Sequence, residues 1–409
     1  MDRAFSESKV VVGLLVAMSI GLLLQLTGKI LYSSGSANGS HVYILLILPS
    51  LFISLWLACS KRHFFSKDVT LFLASAVIFM VWGAIATGWG DGELSFLYLL
   101  KRALVILLYM VGIIYLMSVA SIKQIKGFLL LAAVIVAIGA LMSICYQFFV
   151  LEKPFGWRSF RLSSMGYRNW IDLGNPVIAG LYIGIFTLVT VALVGIEKTN
   201  SLPVALMVFA VLVFYVFLTY SRTTWVAGAL SATFLMCRFR SRSLIAIAII
   251  SVCCFILMAV IFFDDVLREI TQKQFSRRDE TWQWALEHIG ENLIFGHGYN
   301  HTFWPEKNFV HAHNFYLQTV YEQGFIGLVA LLAMLSTVCR SYWRNRRDLL
   351  VCLGFSMVAY IMVAMLSEID EVITRPGVYW TIFWFPLAFT MGAVNRLNLK
   401  KNTVDQLEE

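Results

Sequence analysis

Apolar stretches long enough to cross a bilayer recur along this chain and leave little room for anything else. A helix needs about 20 residues to span the hydrocarbon core. Stretches near that length cover residues 10–31, 42–59, 69–87, 96–117, 128–150, 177–194, 202–220, 223–237, 244–263, 314–338, 349–366 and 378–395. Each is continuous rather than alternating, which argues for helices and against a membrane β-barrel. Of the 409 residues, 59% are hydrophobic and only 14% charged, whereas a soluble domain carries about 25% charged residues. The expectation is an all-α polytopic integral membrane protein of twelve transmembrane helices. No soluble domain is left to bind nucleic acid.

An even number of spans puts both termini on one side. The short links Lys61-Arg62-His63…Lys67, Lys123…Lys126, Arg238…Arg242 and Arg340…Arg347 are basic. The positive-inside rule assigns them, with the termini, to the cytoplasm. The first apolar run lacks a small-residue cleavage pattern and reads as a retained helix. The cysteines fall in spans or at their cytoplasmic ends, so no disulfide is expected. Three regions follow: nine spans over 1–263 with an outside loop at 151–176, a large outside loop at 264–313, and three spans with a cytoplasmic tail over 314–409.

The large loop carries a helical pattern. Trp282, Ala285, Leu286, Ile289 and Leu293 share one face, which predicts an amphipathic helix on the membrane surface with Trp282 and Trp284 near the headgroups. Gly296-His297-Gly298 ends it. Cations on the outside face are the next clue. Arg222 stands between two apolar runs with almost no loop, and Lys101 and Arg102 lie about two turns into the fourth span. A charge near lipid costs several kcal/mol (about 2.5–3.5 near the bilayer centre) unless it is paired. Snorkelling to lipid phosphates, or pairing with Asp91, Glu93 or Glu368, would account for these residues structurally. Guanidinium forks also match phosphate oxygens, so a cluster of them suggests a lipid-linked phosphate or diphosphate.

His311-Ala312-His313-Asn314 is the polar segment best placed for proton chemistry, because histidine titrates nearest neutrality. The two histidines would face the same way only in an extended segment, and without an obvious third ligand a metal site is not expected. Glu368, Asp370 and Glu371 with Arg375 read as a salt-bridged outside loop. No P-loop, GxGxxG or HExxH motif is present, and no cofactor is expected.

These same residues carry a family resemblance. Ser221-Arg222-Thr223-Thr224-Trp225 resembles the "SR" turn of the O-antigen ligase and polymerase superfamily. Arg278 through Trp282, with Leu293-Ile294-Phe295-Gly296-His297-Gly298, resembles its R…W…fGxG block. His313-Asn314, nine residues, Gly324, two residues and Gly327 fit the ligase pattern H-[NSQ]-x9-G-xx-[GTY]. The resemblance implies a multi-pass protein of the Gram-negative inner membrane with its active site in the periplasm. It implies transfer of O-polysaccharide from undecaprenyl diphosphate to a sugar hydroxyl of lipid A–core, inverting and without metal or nucleotide. By motif match the catalytic residues are Arg222, Arg278 and His313. Arg277 adjoins Arg278 and competes for its role. His311, Asn314, Lys101 and Arg102 are candidate substrate ligands, and Arg161 and Arg168 are candidates for core phosphates.

The nearest alternative is an O-antigen polymerase acting on the same lipid-linked donor. A protein O-oligosaccharyltransferase usually has a longer outside region. A non-catalytic transporter of lipid-linked glycan predicts charges deep along the midplane and repeated halves. Here the cations cluster towards one face and no repeat is visible.

Overall fold

In the computed structural model the described residues are 9–59, 64–196, 202–239, 242–272, 278–304, 307, 309, 311–369 and 371–408. Among them there are helices and no strand. Each of the expected apolar stretches is helical. The first five helices are α1 (Lys9–Leu31), α2 (Gly35–Cys59), α3 (Lys67–Ala86), α4 (Phe96–Val119) and α5 (Ile122–Val150). Next come α6 (Pro176–Ile196), α7 (Leu202–Leu218), α8 (Arg222–Phe239) and α9 (Arg242–Ile261). The large loop contributes α10 (Phe263–Gln272) and α11 (Arg278–Ile289). The chain ends with α12 (Phe315–Asn345), α13 (Leu349–Ala364) and, after a π-turn at Trp380–Trp384, α14 (Phe385–Glu408). By length and composition, seven helices among the described residues could cross a membrane: α1 to α6 and α12. Two more, α7 and α13, are apolar but shorter.

Several helices outrun the expected spans because helix signals and hydropathy end at different places. α5 starts at Ile122, not 128, because Ser121 and Gln124 form a capping box there. α12 continues to Asn345 through a polar final turn. The helix α10 was not anticipated; it lies inside the large loop, in Phe263-Asp264-Asp265-Val266-Leu267-Arg268 and the residues after it. Its spacing of Phe263, Leu267 and Ile270 was the overlooked sign.

Of the seven long apolar helices α6 is the most enclosed, its window 89% buried against 39% for α1 and for α2. It packs on α7, α8 and α13. Close approach depends on glycine: a Cβ on Gly184 would lie 2.0 Å from the Tyr360 hydroxyl. At one end of the bundle Asn395 ties together the Ser66 amide (2.8 Å), the Phe64 carbonyl (3.2 Å) and Ser118 (3.0 Å). The basic links described there also meet: Arg344 pairs with Asp68 at 3.2 Å, and Arg238 donates to the Arg346 and Arg347 carbonyls. The loops 87–95, 151–175, 219–221 and 365–377 gather at the opposite end. The last of these is pinned by buried tryptophans, with Trp384 donating to the Val372 carbonyl (2.8 Å) and Trp380 to that of Thr374 (3.0 Å).

α12 is interrupted at Gly324, where φ is +67° and ψ −169°. The break frees backbone groups that a continuous helix would use internally, and the block 293–299 takes them. The Phe325 amide donates to Leu293 (2.8 Å), and the His297 and Gly298 amides donate to Tyr321 (2.8 Å) and Glu322 (2.9 Å). Beyond the block, Tyr299 donates to Ala86 at the end of α3 (3.1 Å), while Trp82 and Trp89 donate to Gln323 and Gly296. The loop is therefore spliced between α3 and α12. A Cβ on Gly324 would meet the Ile294 carbonyl oxygen at 2.1 Å, and one on Gly298 would meet Gly90 Cα at 2.3 Å.

Gly324→Ala therefore combines left-handed strain with a backbone collision. It should destabilise by more than the ~1–3 kcal/mol of strain alone. Thermal unfolding of the detergent-purified protein should show a clearly lowered midpoint; an unchanged midpoint would mean the break is dispensable.

Candidate active site

At the spliced end of the bundle one carboxylate organises the surroundings. Glu368 follows α13 and is 6% exposed. Its Oε2 pairs with Arg278 Nη2 at 2.8 Å and lies 3.8 Å from His313 Nδ1. Its Oε1 accepts from Asn175 Nδ2 at 3.2 Å. Each partner stands at a helix start. Asn175 caps α6 through the Val177 and Ile178 amides, Arg278 opens α11, and His313 immediately precedes Asn314, the N-cap of α12. α8 joins through Thr223, whose hydroxyl is 2.6 Å from that of Ser367. Four helix N-termini thus converge on the Glu368 turn. Each brings partial positive charge, an ordinary ingredient of an anion site, although side-chain caps occupy amides of α6, α8 and α12.

Arginines add to that field. Arg222 is the first residue of α8, held by the Tyr220 turn (φ +49°) and by Ser221, which accepts from the Thr224 amide. Its guanidinium is exposed and meets no acceptor among the described residues. Arg161 donates through Nε to the Thr219 carbonyl at 2.9 Å, and the Leu162 amide donates to Leu218 at 3.0 Å. These bonds stitch the 151–175 loop onto the Arg222 turn. Burial, then the neighbouring charges of Arg158, Arg222 and Arg278, hold the Arg161 guanidinium below its usual pKa, with Glu368 opposing. Burial and Arg222 do the same to Arg158. Arg158, Arg161, Arg222 and Arg278 therefore form one electrostatic group, and Glu368 neutralises only part of it.

The His311–Asn314 segment is fixed from three sides. Trp282 Nε1 donates to the Ala312 carbonyl at 3.0 Å, the Ala312 amide to Gln318 Oε1 at 2.8 Å, and the Phe315 amide to Met365 at 2.8 Å. The left-handed backbone of His313 (φ +52°) brings its ring onto that of His311, with centroids 4.1 Å apart and tilted 71°. The pair meets through that turn and not through the extended backbone expected. Asn314 Oδ1 accepts from the Tyr316 and Leu317 amides, so the side chain serves the helix start.

The surface helix α11 forms as expected, but its buried face is Thr281, Ala285 and Ile289 against α12, with Leu286 62% and Leu293 52% exposed. Trp284 stacks between His288 and Trp304. Both tryptophans expected near headgroups thus engage protein groups.

The structure brings together Arg161, Arg222, Arg278 and His313 of the expected residues. Arg168 is exposed, beside the Tyr167 ring. Arg102 belongs to a separate group with Glu371, Tyr98 and Arg375. The acidic loop is salt-bridged as expected, but its described carboxylates reach distant arginines, Arg278 and Arg102. Arg277 and Asp370 lie outside the described residues. Sequence reasoning did not single out Arg158 or Asn175 and took Glu368 as a salt-bridge partner, not as the centre of the cluster. A carboxylate only two residues past an apolar run was the available sign, since such a charge must be paired.

The fold is thus a bundle of apolar helices, several long enough to cross a membrane, with a cation-rich, histidine-bearing cluster at one end. Residues 206–332, from α7 to the first part of α12, match the O-antigen ligase family model. The chain is also similar over most of its length to a protein named O-antigen ligase from Pseudomonas aeruginosa. The two are 27% identical over 378 residues, covering 91% of this chain and 89% of that one. The resemblance carried by the short motifs therefore extends beyond them.

Glu368→Gln would leave Arg278 without its counter-charge. Breaking a buried ion pair costs about 3–5 kcal/mol, and less here because Arg278 is partly exposed. Glu368→Gln should lower stability by about 2 kcal/mol, and Arg278→Met in the same chain should recover part of it. The double-mutant cycle, read by thermal unfolding, should give a coupling of about 1–2 kcal/mol; zero coupling would remove the pair from the stability of the site.

Proposed function

We propose that the protein is an O-antigen ligase of the bacterial inner membrane. It would transfer O-polysaccharide from undecaprenyl diphosphate to a sugar hydroxyl of lipid A–core on the periplasmic side. The observation that carries this reading is the convergence of four arginines and four helix N-termini around Glu368 with His313 beside them. The basic links at the opposite end of the bundle support a cytoplasmic location for that end.

In this reading Arg222, with Arg158 and Arg161, holds the diphosphate, because Arg222 has no acceptor of its own among the described residues. Arg278 is half committed to Glu368 and contributes its remaining donors. The acceptor hydroxyl oxygen attacks the sugar C1 from the face opposite the diphosphate. The C1–O bond breaks, its electron pair leaves with the diphosphate, and the anomeric centre inverts. Guanidinium groups and helix dipoles stabilise the charge that builds on the leaving oxygen. His313 takes the acceptor proton on Nε2, while Glu368 faces Nδ1 and stabilises the imidazolium. A general base of this kind contributes typically ~10²–10⁴-fold.

His313→Ala and Arg222→Ala should abolish core-attached ladders in lipopolysaccharide gels while polymer remains on the lipid carrier. Arg222→Lys should fall at least about tenfold short of wild type, because lysine cannot present the bidentate fork. A normal ladder from folded His313→Ala would remove the base role. A product of core plus a single repeat on deletion would point to a polymerase instead.

A further inference from the structure

A second cationic group lies apart from the Glu368 site, at the start of α4. The Tyr98 hydroxyl receives Arg102 Nη2 and also Arg375 Nη2, the latter at 3.1 Å. The Arg102 guanidinium lies 4.1 Å from the Tyr98 ring centroid and Arg375 6.0 Å. Arg102 Nη1 reaches Glu371 and the Ile373 carbonyl, both at 3.2 Å. Its Nε is enclosed without an acceptor. Arg375 and the adjacent Lys101 are exposed.

Two guanidinium groups on one phenol oxygen repel each other, and among the described residues Glu371 cancels one charge. Snorkelling alone does not produce this arrangement, because it sends cations separately outwards to lipid phosphates. Two converging forks, one of them exposed, and an exposed lysine leave donors for one more anion. The surroundings define what kind. Leu97 is 73% exposed, Leu104 56% and Phe96 41%, and Tyr43 of α2, 40% exposed, stands within electrostatic reach of both arginines. The group thus sits on the apolar perimeter of the bundle at the height of the helix ends, where a lipid places its headgroup. Glu368 and Glu371 are three residues apart in the chain, and Ile369, Val372 and Ile373 beside them are buried. A lipid held at Arg102 and Arg375 is therefore registered against His313.

We propose that Lys101, Arg102, Arg375 and Tyr98 bind a phosphate on the headgroup of the acceptor glycolipid, docking it for attack on the donor held at the Glu368 site. This rests on the glycosyl-transfer reading above for the identity of the lipid, and on the geometry alone for the anion.

The test has a binding arm and a kinetic arm. In the first, purified protein without donor is presented with phosphorylated or phosphatase-treated acceptor glycolipid, and retained lipid is read by native mass spectrometry. Wild type should retain the phosphorylated form preferentially. Arg375→Ala and Lys101→Ala/Arg375→Ala should lose that preference, and Arg375→Lys should keep most of it. In the second, neutral liposomes carry donor and acceptor, each titrated in turn against a fixed amount of the other. Arg375→Ala should raise the acceptor KM about tenfold, as expected for one lost charge-assisted contact, and leave the donor KM unmoved. The phosphatase-treated acceptor should erase the difference between variant and wild type. Equal retention of both acceptor forms by wild type would overturn the proposal. So would a variant defect that persists with the dephosphorylated acceptor, or one that appears only when anionic phospholipid is added. If wild type retains the phosphorylated acceptor selectively but transfers nothing to it, the docking site stands and the ligase reading fails.

Discussion

A single buried carboxylate among arginines is the interaction on which the working end of this protein depends. Removing a charge from water near lipid is costly, and Glu368 offsets that cost only by gathering partners from distant parts of the chain. Arg278 comes from the large loop, Asn175 from the start of α6, and His313 from the entry to α12. Each contact also fixes a helix start. One electrostatic requirement therefore links these helix starts, with Arg158, Arg161 and Arg222 close enough to share its field.

The glycines act at a distance from that charge. Gly324 breaks α12 so that its backbone can bond the 293–299 block, and Gly296 and Gly298 let that block lie against α12 and α3. The loop thereby becomes part of the bundle, and Trp282 and Gln318 can hold Ala312 in place. The sequence pattern from His313 to Gly327 is then one mechanical unit. Its first residue faces the carboxylate, its second caps the helix, and Gly324 makes room for the strap that holds the first.

The spans were legible because burying apolar area in lipid leaves a continuous signature that needs no partner. Arg222, Arg278 and His313 were legible through short motifs and the improbability of charges at those places. Arg158 and Asn175 were not, since a loop arginine and a loop asparagine look ordinary until the 151–175 loop is stitched to the Arg222 turn. Which residues of α11 pack on α12 was not legible for a related reason. Periodicity shows which residues share a face, but here the exposed residues Leu286 and Leu293 were as apolar as the buried ones.

The amino-acid sequence by itself determined an all-helical membrane protein with its basic links on one side and a polar, histidine-bearing segment on the other. Those properties follow from hydropathy and charge, which are local. Only the tertiary structure decided that Glu368 is the hub, that Arg102 and Arg375 form a separate group, and that the pattern's glycines are a splice. These depend on which residues far apart in the chain are forced together when charges and backbone groups withdrawn from water must find partners.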